Sequence, residues 1–226
     1  MAGGYNKQQE HVRDYFDGDA FKRWEAISTG NGRNFAQRKL IEGRMAIHQC
    51  VLDWVGPVEG KRILDAGCGA GVLAERFVDR GASYIKGIDI SEKMIDLAQK
   101  QGSGKVEYAV CDLMSEHGNY DILVSMDVLI HYSLADMPTL LEHVLARAKE
   151  KAYISFAPST PLFRLLKAIG KRFSGGSRTT NAYLHRIADI RTILQGLGYQ
   201  ITRQQLFSNV IYNAVLLEIR PVNPKK

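Results

Sequence analysis

Between Arg62 and Phe156, short runs of β-branched and other apolar residues alternate with stretches in which apolar positions recur at helical spacing. The runs predict strands over Arg62–Asp65, Tyr84–Asp89, Val106–Val110, Asp121–Met126 and Ala152–Phe156. Helical spacing predicts helices over Val72–Arg80 and Ser91–Gln101, the second with Ser91 as N-cap and Glu92 placed to complement the helix dipole. Upstream, Gln8–Phe16 and a longer run from Asn34 to Val55 read as helices, and Ser28–Asn34, with Gly30 and Gly32, reads as a flexible join. Downstream, a helix is expected over Asp189–Gly196 and strands over Gln200–Phe207 and Ala214–Arg220. Strand–helix alternation of this kind implies a doubly wound, mostly parallel α/β sheet with helices on both faces. The expected organisation is a helical extension over residues 1–60, then an α/β domain over 61–226. An insert at 158–188 interrupts that domain.

Composition narrows the class. A chain of 226 residues, 45% hydrophobic and 24% charged, is the length of one globular domain with a sizeable core, and this excludes disorder and collagen. No apolar run approaches the roughly 18 residues that a membrane-spanning helix needs. The polar stretch Met1–Asp19 does not read as a signal or transit peptide. Cys50, Cys68 and Cys111 lack the spacing of a disulfide framework or zinc site, so a reducing cytoplasm is the expected compartment. Lysine and arginine number 30 against 24 acidic residues. The excess is concentrated: between Glu150 and Asp189 the chain carries Lys151, Arg164, Lys167, Lys171, Arg172, Arg178 and Arg186 and no acid. Such a stretch expects an anionic partner, whether nucleic acid, anionic lipid or a small polyacid.

The first predicted strand runs into Asp65-Ala66-Gly67-Cys68-Gly69-Ala70-Gly71. Glycines let the backbone of such a turn approach a ligand closely. A dinucleotide fingerprint would need its third glycine at Val72, and a P-loop would need a Gly-Lys-Ser/Thr sequence that is missing. An acidic residue followed by GxGxG resembles motif I of class I S-adenosylmethionine methyltransferases, whose turn cradles the amino-acid end of the cofactor. Asp89 closes the second strand, where a carboxylate can accept hydrogen bonds from both ribose hydroxyls. Asp112 follows the third strand, where that family holds the adenine amino group, and Met94 stands where it packs an apolar side chain on the adenine. Ile90, Leu113 and Met126 complete the expected cofactor contacts. As ordinary packing, the turn would be a tight βα join and the two aspartates plain caps.

Further segments carry a more specific resemblance. His11-Val12-Arg13-Asp14-Tyr15-Phe16, Phe21-Lys22-Arg23-Trp24, Ser125-Met126-Asp127-Val128-Leu129-Ile130-His131-Tyr132, Ser155-Phe156-Ala157-Pro158 and Ala182-Tyr183-Leu184-His185-Arg186 are similar to magnesium-protoporphyrin IX methyltransferases of chlorophyll and bacteriochlorophyll biosynthesis. The similarity runs from about residue 11 to 220. It implies methyl transfer from S-adenosylmethionine to a propionate of magnesium-protoporphyrin IX, with magnesium belonging to the substrate and no metal held by the protein. His131 and Tyr132 are then the expected catalytic residues, on the loop after the fourth strand. Arg164, Lys167, His185 and Arg186 are the expected substrate contacts. Some relatives carry tyrosine near the position of Ser28; here the residue is serine, and no role is carried over. The upstream magnesium chelatase becomes a candidate partner.

The basic stretch suits such a substrate. On a helical wheel, Leu162, Phe163, Leu165, Leu166, Ile169 and Phe173 share an arc opposite Arg164, Lys167 and Lys171. This amphipathic pattern can form a lid over an apolar ring with carboxylates, hinged at Gly175-Gly176-Ser177. It also suits peripheral contact with an anionic membrane surface, and a helix packed plainly on the sheet is the simplest alternative. A nucleic-acid methyltransferase would use the same charges on phosphates. After its fourth strand, however, the chain has Met126-Asp127-Val128-Leu129 in place of a Pro-Pro-Tyr type of motif, so nucleic acid is not expected as a partner. Another methyltransferase acting on a carboxylate-bearing small molecule, or a binder that kept the fold, remains as an alternative.

Overall fold

The computed structural model describes residues 10, 12–18, 21–32, 34–159 and 183–223. Arg164, Lys167, the amphipathic segment and its glycine hinge lie outside the described residues. Seven strands form one sheet: β1 (Arg62–Ala66), β2 (Tyr84–Asp89), β3 (Glu107–Val110), β4 (Tyr120–Ser125), β5 (Ala148–Phe156), β6 (Tyr199–Ser208) and β7 (Asn213–Pro221). Their order is β3-β2-β1-β4-β5-β7-β6. The first five are mutually parallel, while β7 inserts antiparallel between β5 and β6.

Helices α1 (Phe21–Ser28), α2 (Phe35–Val55), α3 (Val72–Val78), α4 (Glu92–Gln101), α5 (Met137–Leu145) and α6 (Ile187–Gly196) complete the fold. Two of them, α1 and α5, are additions to the sequence-based expectation. Their apolar runs are short and interrupted by charge, and α5 carries a proline in its first turn, a position where the missing N–H costs nothing. The β5 strand starts four residues earlier than the apolar pattern suggests, because its first half is the charged Ala148–Lys151 run.

Period-two alternation explains the layers. Ile63, Ile85 and Ile122 face one side of the sheet, where Ile47, Val51 and Leu52 of α2 and Leu73 and Phe77 of α3 cover them. Leu64, Ile88 and Leu123 face the other, beneath Leu140, Leu141 and Leu145 of α5 and Ile190 and Leu194 of α6. The α2 helix is started by Asn34, whose side chain accepts from the Gln37 amide at 2.9 Å, and stopped at Gly56, φ 70°. Strand order reverses between β1 and β4, and open α/β sheets bind ligands at the carboxyl ends of the strands flanking such a point.

Candidate active site

A cavity of about 760 Å³, counting its open mouth, lies at that point. Its sheet-side wall is made by the turns after β1, β2 and β3. Gly67, Gly69 and Gly71 have φ of 84°, 53° and 76°, a region that disfavours any Cβ. The three glycines serve different purposes. A Cβ on Gly67 would stand 2.2 Å from Val128 Cγ2, and one on Gly71 would stand 2.2 Å from the Tyr108 hydroxyl. A Cβ on Gly69 would meet only Met94 Cε, at 3.4 Å, so this glycine keeps the cavity open. Gly67 and Gly69 are on the wall; Gly71 is not, and instead caps α3.

Asp89 ties the turns together. Its Oδ2 accepts from the Gly69 amide and its Oδ1 from the Ser91 amide, both at 2.9 Å. Desolvation raises its pKa, and these backbone N–H groups pull the other way. Asp112 caps the short turn Leu113–Ser115, its Oδ1 accepting from the Met114 amide at 2.8 Å. Ile90, Met94, Leu113 and Met126 lie on the same wall. Met94 is buried against Phe21 and Trp24, so the extension closes one side of the cavity. Ser91 Oγ donates to Asp17 at 2.5 Å while accepting from the Met94 amide at 3.2 Å, which fastens the helical residues 12–17 beside the turn after β2.

Asp65 faces a second cavity that meets the first at Arg44, Gly67 and Met126. It is buried, and its Oδ2 has no hydrogen-bond partner among the described residues. Burial and the Asp89 charge push its pKa up to about 7, against the Ala74 amide and Arg44. His48, on the same cavity, is held neutral: burial, with Arg44 and Arg76 nearby, lowers its pKa to about 3.

The opposite wall is assembled from distant segments. After β4 the chain makes a tight turn, Leu129–His131, closed by the His131 amide on Val128 O at 3.0 Å and the Tyr132 amide on Leu129 O at 3.2 Å. His131 and Tyr132 are both on the cavity wall, and the Phe16 ring meets the His131 ring edge-on, centroids 5.5 Å apart. Behind this turn lies His185, whose Nε2 is 3.0 Å from Leu129 O and whose pKa is lowered by burial. The Tyr183 amide donates to Ile130 O at 2.7 Å. His185 therefore meets backbone and, among the described residues, is not part of the cavity wall. Arg186 is exposed at the start of α6 and is likewise off the wall.

Sequence reasoning missed a polar cluster at the end of β4. Asp127, φ 60°, accepts from the Tyr212 hydroxyl on both carboxylate oxygens at 2.9 Å and from Ser155 Oγ at 3.1 Å. Its own amide donates to Ser155 Oγ at 2.9 Å. Burial and the adjacent carboxylate hold the Tyr212 phenol well above its ordinary pKa, so it remains a donor. The motif around Asp127 was visible in the sequence; its partners, 28 and 85 positions away, were not.

A glycine-lined turn after β1, an acid ending β2 and a second acid after β3, on a sheet of this order, define a class I S-adenosylmethionine-dependent methyltransferase fold, and residues 63–151 match the methyltransferase domain family. Residues 125–221 match the magnesium-protoporphyrin IX methyltransferase C-terminus family. The chain is 37% identical to the magnesium-protoporphyrin O-methyltransferase of Synechocystis, over 92% of this chain and 94% of that one. It is 32% identical to the chloroplastic magnesium protoporphyrin IX methyltransferase of Arabidopsis thaliana, over 97% and 73%. A crystal structure of the Synechocystis enzyme with bound SAH superposes with a TM-score of 0.86 at 34% identity, covering 94% of this chain and 99% of that one. The chain belongs to the magnesium-protoporphyrin IX methyltransferase family.

Proposed function

We infer that this protein transfers the methyl group of S-adenosylmethionine to one propionate of magnesium-protoporphyrin IX, giving the monomethyl ester. The observation that carries this reading is the joining, in one cleft, of Gly67, Gly69, Asp89 and Asp112 with the His131–Tyr132 turn, in a chain related over nearly its whole length to enzymes named for that reaction.

The residues present fit the cofactor. Asp89, with lone pairs beyond its two amide bonds, suits the ribose hydroxyls; Met94 and Leu113 offer apolar contact to the adenine, and Asp112 an acceptor for its amino group. The unpartnered Oδ2 of buried Asp65 suits a ligand ammonium, since a buried acceptor left unmatched costs about 1–3 kcal/mol. Bound S-adenosylmethionine supplies an electrophilic methyl on a sulfonium.

A propionic acid has a pKa near the roughly 4.3 of a glutamate side chain, so the acceptor reaches the cleft already ionised at pH 7. No strong general base is needed. What the protein must do is align one carboxylate oxygen and exclude water, and alignment alone can contribute about 7–11 kcal/mol to lowering the barrier. His131 and Tyr132, on a turn braced from behind by His185, orient that carboxylate. Val12, Phe16 and Trp24 of the extension shield the cleft from water.

Under this proposal residues 1–60 cap the methyltransferase domain of 61–226. Segment 158–188, with Arg164 and Lys167, acts as a basic lid over the porphyrin. The magnesium chelatase is a proposed partner, and the basic segment is the proposed contact with an anionic membrane. No helix among the described residues is long and apolar enough to cross a membrane. The test is direct: incubate the protein with magnesium-protoporphyrin IX and methyl-labelled S-adenosylmethionine, then resolve the products by mass. One labelled methyl ester per porphyrin is the expected result. An unmodified porphyrin with saturating cofactor overturns the reading.

A further inference from the structure

The turn that carries His131 leaves β4 through a left-handed backbone. Among the described residues Asp127, φ 60°, is the non-glycine residue with a positive φ, and the next carbonyl, Val128 O, accepts from the His131 amide at 3.0 Å to close the turn. Glycine would take this conformation without strain, so what the aspartate adds is its carboxylate. Neutral hydroxyls orient that carboxylate. Tyr212 donates to both oxygens at 2.9 Å and Ser155 to Oδ1 at 3.1 Å, while Ser155 Oγ accepts from the Asp127 amide at 2.9 Å. Arg44 Nε, 3.9 Å from Oδ2, is beyond hydrogen-bonding distance. The Tyr212 hydroxyl has little freedom of its own. Asn209 Oδ1 accepts from the Ile211 and Tyr212 amides at 2.9 and 2.7 Å, and Asn209 Nδ2 donates to Lys39 O of α2 at 2.8 Å. The Tyr212 ring lies against Gly43, where a Cβ would fall 2.2 Å from Cδ1, so α2 packs directly on it. Asp127 is on the cleft wall, whereas Tyr212 and Ser155 stand behind it.

We propose that Tyr212 is a positioning residue for methyl transfer: acting through Asp127, it fixes the angle at which the chain leaves β4 and hence where the His131 ring stands in the cleft. It works from behind the wall, without meeting cofactor or substrate. The proposal rests on the methyl-transfer reading and deepens it. His185 braces the turn at Leu129 O, and Tyr212 holds the residue from which the turn starts.

Tyr212→Phe keeps the ring against Gly43 and removes the hydroxyl. Tyr153→Phe is the matched control, because it deletes a buried phenol that donates to Glu218 at 3.0 Å, in the same sheet but off the cleft. Both are read by kcat, the Michaelis constant for magnesium-protoporphyrin IX, S-adenosylhomocysteine affinity by calorimetry, and the NMR resonances of the His131 ring, assigned by their loss in His131→Gln. Tyr212→Phe should lower kcat by about tenfold to hundredfold, the effect of a misplacement of up to about 1 Å, with the Michaelis constant and cofactor affinity within about threefold. It should also move the His131 resonances. Tyr153→Phe should lower the thermal midpoint comparably and leave kcat and those resonances as in wild type. In a His131→Ala background Tyr212→Phe should cost no more than about twofold in kcat, because the ring it places is gone. The proposal is overturned if Tyr212→Phe matches Tyr153→Phe in kcat and in the His131 resonances, or if its full loss multiplies onto that of His131→Ala. Absence of turnover in wild type would refute the methyl-transfer reading, and the His131 resonances would still decide whether Tyr212 sets that ring.

Discussion

On the proposed cofactor side of the cleft, most wall residues stand within a few positions of a strand's carboxyl end: Gly67 and Gly69 after β1, Asp89 and Ile90 at β2, Asp112 and Leu113 after β3. On the acceptor side, Phe16, Trp24, Arg44, Asp127 and His131 come from separate segments, and Asp127 is fixed by Tyr212, 85 positions away. The first wall follows from parallel pairing, which brings three strand ends level. The second depends on where the extension and the β6–β7 turn dock. Damage to the first should therefore appear as lost cofactor affinity, and damage to the second as lost rate.

The largest effect is expected at the seam between the walls. Gly67→Ala places a Cβ in a left-handed backbone and against Val128, whose turn carries His131. Cofactor affinity and turnover should each fall by about a hundredfold or more. Adding Val128→Ala should recover part of both, and no recovery would show that the Gly67–Val128 contact is not the cause.

Asp89→Ala comes next. Losing an acceptor for two hydroxyls, at about 1–3 kcal/mol, should weaken S-adenosylhomocysteine binding by roughly fivefold to 150-fold by calorimetry. The rate at saturating cofactor should change much less. An unchanged affinity in a folded protein would remove Asp89 from the site.

Asp65 sharpens the comparison through pH. Its pKa of about 7 in the fold, against an ordinary 3.8, means that the folded protein keeps a proton there which the unfolded chain releases between those values. On this group's account, stability of the ligand-free protein is greatest below about pH 4 and is lost as pH rises through 7. A ligand ammonium favours the carboxylate, so cofactor affinity should move the other way and weaken as pH falls from 8 to 6. Asp65→Asn should flatten both trends relative to wild type, a comparison in which the opposing contribution of His48 cancels. Equal pH slopes in the two proteins would contradict this.

The smallest effect is expected at Arg186. Exposed and off both walls, its replacement by alanine should leave the Michaelis constant for the porphyrin within about threefold. A tenfold rise would return it to the substrate site.

What could be read beforehand divides along the same line. The sheet, its direction and the glycine turn were legible because strand period and glycine spacing are local signals. Asp65, Asp89 and Asp112 followed from their places at strand ends. The helix α1 escaped notice because Phe21–Ser28 is short and polar on average, and it packs on α2 and α4. The contact of the His185 ring with Leu129 O, 56 positions away, is a tertiary one that no local signal shows. Arg44 carries no local signal within its helix; only the docking of α2 against the sheet brings it to Asp127.

The central claim is that the acceptor wall positions a carboxylate that is already ionised. The most direct test is kcat against pH for wild type, His131→Ala and His131→Gln, with S-adenosylhomocysteine affinity measured alongside. Alanine should lower kcat by about 10-fold to 1000-fold with cofactor affinity nearly unchanged, because misplacement by about 1 Å can cost a hundredfold. Glutamine, which keeps a hydrogen-bonding group but titrates nowhere near neutrality, should recover part of the rate and show a flat profile at neutral pH. If glutamine is as inactive as alanine and wild type alone shows a rate limb near the roughly 6.5 of an ordinary histidine, His131 acts as an acid–base catalyst and the positioning account is contradicted.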